Sequence, residues 1–105
     1  MEITDELVEE IKRAVRVKSP DADGEIKALA QACFSEMRIA GVNITNPQDP
    51  LAKQAVILYC KGHYGYDDKP EGFLVAYGAL RDAMALSSEY REGKSDAGDA
   101  DNTNS

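Results

Sequence analysis

Apolar residues recur along most of this chain at the three-and-four spacing of amphipathic helices, interrupted by clusters of Pro, Gly, Asn and Asp. Ile3, Leu7, Val8, Ile11 and Val15 predict a first helix over roughly residues 5 to 17. Thr4 or Asp5 is its N-cap, acids fill its first turn, and Arg13, Arg16 and Lys18 lie toward its negative end. The cluster Ser19-Pro20-Asp21-Ala22-Asp23-Gly24 stops that helix, and Asp21 or Asp23 is placed to cap the next. A second helix, roughly residues 23 to 40, carries Ile26, Leu29, Ala30, Cys33, Phe34 and Met37 on one stripe. Gly41 ends it, and Val42 stands where a Schellman cap folds an apolar residue back on the last turn.

The third helix starts sharply at Asp49-Pro50 and is expected to end near Gly62. Asp49 accepts from the free N–H groups of the first turn, Pro50 suits the first helical position, and Lys61 and His63 suit the C-terminal end. This helix is apolar around well over half its circumference, which predicts that part of its surface is kept for another subunit. A fourth helix, roughly residues 70 to 88, should bury Phe73, Leu74, Tyr77, Leu80 and Met84. Asp67 and Asp68 precede it as candidate caps. Gly72, Ala76, Gly78, Ala79 and Ala83 predict close approach of another backbone, since Gly78 costs a helix about 1 kcal/mol relative to Ala. Residues 42 to 45 are the one strand candidate and are too short to stand alone. The expected fold is all-α: a compact bundle of about four helices in one domain, residues 1–92. From residue 93 onward no large apolar residue offsets the entropy of ordering, so residues 93–105 read as a disordered acidic tail.

Composition narrows the function. The chain has 105 residues, 43% of them apolar, and a formal net charge of -7. That charge opposes a general nucleic-acid or anionic-membrane binder, and with it a helix-turn-helix DNA reader built from the first two helices. No basic leader with an apolar core and no run long enough to span a bilayer is visible, so a soluble protein made in a cytoplasm is expected. The two cysteines, Cys33 and Cys60, fall inside amphipathic patterns and read as small buried apolar groups. Cys60 and His63, with Cys33, fall short of the four ligands of a closed zinc site. The single histidine leaves no catalytic triad, and no glycine-rich phosphate loop is present. Asp5, Glu6, Glu9 and Glu10 read as a solvated helix start. No enzymatic activity, catalytic residue, metal or cofactor is expected.

The aromatic series Tyr59, Tyr64, Tyr66, Phe73 and Tyr77 brackets the junction of the third and fourth helices. It reads either as core with phenol tips at the surface or, for Tyr64 and Tyr66, as a protein contact. Ile57 lies between Lys53 and Lys61, one turn before and after it, and so on the polar side of the third helix. Ile57, Lys53, Lys61, Tyr64 and Tyr66 are therefore the candidate subunit or partner interface.

The order of these parts resembles the small helical head-tail connector, or head completion, proteins of tailed bacteriophages and prophages. The matching pieces are Ala32-Cys33-Phe34-Ser35-Glu36-Met37-Arg38-Ile39-Ala40-Gly41-Val42, then Asp49 through Tyr59, the turn with His63-Tyr64-Gly65, and Phe73 through Leu86 followed by Ser87-Ser88-Glu89-Tyr90. The likeness spans roughly residues 3 to 91 and rests on order and spacing. It implies a non-enzymatic virion protein at the head–tail junction, made in the host cytoplasm, that forms a homo-oligomeric ring on the portal. Its partners would be its own copies, the portal protein and a tail-side connector or stopper protein. DNA would pass through the channel without specific binding, and no membrane is involved. A ring uses heterologous contacts, so each subunit needs two different apolar patches. The alternative is a small acidic helical adaptor or regulator that binds a basic protein.

Overall fold

The computed structural model describes residues 2–64 and 69–91 and folds them into four helices, with no strand among them. These are α1 (Asp5–Val15), α2 (Asp23–Ile39), α3 (Pro50–Tyr64) and α4 (Glu71–Leu86). The expected tail, residues 93–105, and the loop residues Tyr66, Asp67 and Asp68 lie outside the described residues.

Local chemistry sets the helix ends. Thr4 Oγ1 accepts from the Leu7 N–H at 3.1 Å and opens α1. The helix stops at Val15, two residues before the apolar period runs out, because Arg16 turns left-handed at φ 64°. The Arg16 and Val17 N–H groups then donate to Arg13 and Lys12 carbonyls at 3.3 and 2.9 Å, folding Val17 back on the core. Neither Asp21 nor Asp23 caps α2. Ser19 supplies the side-chain acceptor for a short 3-10 turn over Pro20–Ala22, and Asp23 is taken by Lys12, whose ammonium lies 2.6 Å away. At the other end of α2 the Schellman cap forms as expected: Gly41 sits at φ 99°, its N–H donates to Arg38 at 3.0 Å, and Val42 donates to Met37 at 2.8 Å while burying its side chain.

Asp49 caps α3, its Oδ2 accepting from the Ala52 N–H at 3.0 Å. The helix continues two residues past Gly62, to Tyr64. It packs against α1, α2 and α4 together and buries Ala52, Ala55, Val56, Tyr59 and Cys60. Its broad apolar circumference is thus largely used inside the subunit. The surplus lies on α4, which packs chiefly on α3 and fully buries only Tyr77 and Met84.

The core is one cluster with contributions from every helix, among them Leu7 and Ile11 of α1, Ile26 and Met37 of α2, Val56 of α3 and Met84 of α4. Beyond α4 the chain turns back: the Asn43 N–H donates to the Tyr90 carbonyl at 2.6 Å, and the Tyr90 hydroxyl donates to the Asp49 carboxylate at 3.0 Å. This ties together the C-terminal ends of α2 and α4 and the N-terminal end of α3.

The small residue required for close helix packing is Gly62 of α3. A Cβ there would stand 2.5 Å from Leu74 Cγ, whereas one at Gly78 would meet only Arg81 at 3.9 Å and one at Gly72 would meet nothing within 4 Å. Inside the subunit no backbone approaches α4 closely at Gly72 or Gly78. Gly62→Ala should lower stability in denaturant unfolding, because overpacking of about 1–3 kcal/mol exceeds the helix-propensity gain. In a Leu74→Ala background the same change should raise stability by up to about 1 kcal/mol.

Candidate interaction surface

The sequence-predicted ridge on α3 is engaged within the subunit. Lys53 Nζ pairs with Glu10 Oε1 of α1 at 3.0 Å, and Lys61 Nζ lies 5.3 Å from the centroid of the Phe73 ring of α4. Ile57 and Tyr64 are half-buried and pack on the core. The two lysine stems flank Ile57 and lead their ammonium groups to α1 and α4. Tyr66 belongs to the residues that are not described.

Cys33 and Cys60 are fully buried, whereas the neighbouring His63, one turn on from Cys60, is exposed. Among the described residues no three His, Cys, Asp or Glu side chains cluster as metal ligands. Burial pushes both thiols up to about 12. His63 instead stacks at 4.3 Å on Tyr59, whose ring meets Tyr77 edge-on at 5.1 Å. The Tyr77 hydroxyl donates to Glu36 Oε1 at 3.0 Å, and Arg81 reaches the same oxygen at 3.5 Å while lying over the Tyr77 ring. Desolvation first, then nearby Cys33 and Glu36, raise the Tyr77 phenol far above its usual range, and desolvation likewise raises Tyr59. These groups hold α2, α3 and α4 together and are poorly suited to proton transfer near neutrality.

Among the described residues, two outer helix faces are exposed. On α4, Val75 and Leu86 are 72% and 77% exposed, with Ala76, Ala79 and Ala83 between them and Gly72 just before them on the same side. On α2, Ile39 is 87% exposed at the end of a face carrying Ala28, Ala32 and Ser35. A groove of about 210 Å³ runs beside this second face, lined in part by Gln31, Ser35, Arg38 and Ile44. A second cleft of about 160 Å³ lies across the 43–46 loop, closed by Asp49 and Tyr90. No described helix is long and apolar enough to cross a membrane. The small residues of α4 pointed toward this face in the sequence, whereas the exposure of Val75 and Leu86 on it did not follow from periodicity.

Ile57→Asp should unfold or strongly destabilise the isolated subunit, because it places a carboxylate against the core; circular dichroism melting checks this. Both thiols should resist maleimide at neutral pH in the folded protein and react in denaturant. They bind their protons more tightly folded than unfolded, where the usual value is 9.0. Stability should therefore hold below about pH 9 and fall above it, by roughly 1.4 kcal/mol per pH unit for each thiol. The raised phenols of Tyr59, Tyr77 and Tyr90 and the raised ammonium of Lys12 act in the same direction from about pH 10 upward, a trend that urea titrations across this range would show.

No protein-family model, no curated protein and no solved structure matches this chain.

Proposed function

We propose that this chain is a non-enzymatic ring subunit of a tailed-phage head–tail junction, seated on the portal and offering a docking surface to a tail-side connector or stopper protein. The observation that carries the reading is α4: a strongly apolar helix held chiefly by one neighbour, with Val75 and Leu86 exposed on its outer side. A monomeric protein gains nothing from such a surface, and an assembly subunit uses it. The second uncovered face, on α2, supplies what a head-to-tail ring also needs, since each copy must offer two different patches. The sequence resemblance described above supplies the particular assembly. The net charge of -7 suits a wall past which DNA slides.

The adaptor reading keeps one observation in its favour. Glu2, Asp5, Glu6 and Glu9 are all exposed around the start of α1 and form an acidic end that a basic partner would meet.

Purified protein mixed with portal-bearing capsids should sediment with them and appear in electron micrographs as an added ring at the portal vertex. Absence of binding to such capsids, together with salt-sensitive binding to a basic protein, would replace the connector reading by the adaptor.

A further inference from the structure

The uncovered faces of α2 and α4 follow one design with opposite charge. On α2, Lys27, Ala28, Ala32, Ser35, Arg38 and Ile39 are exposed; on α4, Glu71, Gly72, Ala76, Ala79, Asp82 and Ala83 occupy the same relative positions and are exposed as well. In each helix the two charges stand eleven residues apart on one side, about 16 Å at 1.5 Å per residue. Lys27, Arg38 and Glu71 make no ion pair among the described residues, and Asp82 contacts only its neighbour Arg81, at 3.2 Å.

We infer that the outer face of α2 in one copy of this chain packs antiparallel on the outer face of α4 in the next copy. The charges fix the register by placing Lys27 opposite Asp82 and Arg38 opposite Glu71. Opposed helix dipoles favour the antiparallel sense. To within one or two residues of that register, each of the large exposed apolar side chains meets a small residue: Ile39 comes to Gly72, Leu86 to Gly24 and Val75 to Ser35. Gly24 and Gly72 each have open space where a Cβ would stand, so both sites are free to receive the partner's side chain. The groove beside Gln31, Ser35 and Arg38 gives Val75 room.

The contact joins two different faces, so a joined pair still offers one free α2 face and one free α4 face to further copies, and the product is a closed ring or an open filament. Stable protein pairs bury about 800 Å² on each side, and one face of a helix roughly 24 Å long covers about half of that. A single contact is therefore weak, and assembly is expected at high concentration or when a template holds the copies together. The inference deepens the ring-subunit reading by naming the surfaces through which copies meet.

Full-length Ser35→Cys and Ala76→Cys variants, mixed at millimolar concentration and treated with a short bismaleimide, should give a crosslinked dimer that neither variant gives alone. Cys33 and Cys60 are buried and contribute little background. Adding Lys27→Glu to the Ser35→Cys protein should reduce the mixed product about tenfold, and Asp82→Lys in the Ala76→Cys protein should restore it. Crosslinking of the Ala76→Cys variant with itself would mean a symmetric α4 contact and overturn the inference, as would absence of the mixed product. A mixed product without recruitment to portal-bearing capsids would sink the connector reading and leave this contact standing; rings on capsids without the Ser35–Ala76 crosslink would do the reverse.

Discussion

The number of helices that fit around α3 governs this structure. A helix apolar on more than half its circumference stabilises a bundle only if neighbours cover it, and in this chain α1, α2 and α4 all do. Covering α3 consumes the inner faces of the other three. α1 and α2 are further joined by Lys12, whose side chain is nearly buried between them with its ammonium on Asp23. α4 gains much less from its other neighbours, touching α2 through Tyr77 and Arg81 on Glu36, and so its outer side stays bare. Burial at the centre and exposure at the edge are two sides of one packing solution.

The helix boundaries were largely legible because each depends on a few adjacent residues. Thr4, Asp49 with Pro50, and Gly41 with Val42 are read without knowing the fold, and all three behave as their chemistry dictates. The start of α2 was not legible in this way. Two aspartates stood near it as candidate caps, but one of them had a stronger partner eleven residues earlier in Lys12. Competition between a local cap and a distant cation cannot be resolved from spacing alone.

The candidate surface was less legible, for the same physical reason. Periodicity shows which residues of a helix are apolar and leaves open how many neighbours will cover them. Ile57 between two lysines lay on what reads as the polar side of α3, yet it is half-buried against the core while those lysines extend to Glu10 and the Phe73 ring. The small residues of α4 suggested close approach of another backbone without saying whose, and inside the subunit the glycine that has no room for a Cβ is Gly62, facing Leu74. The charges of α2 and α4 gain meaning only after exposure is known, since Lys27 and Glu71 are otherwise ordinary helix-surface residues.

Tyr90 has a mechanical consequence. The backbone of this residue holds the 43–49 loop through Asn43, and its hydroxyl holds the residue that caps the central helix. Tension applied to the chain beyond Arg91 is therefore carried first by these two bonds, in parallel, and passed to the base of α3. The exposed helix α4 is spared until both give way. A load on the C-terminus of this small bundle is borne by its most deeply packed element, while the surface offered to neighbours stays slack.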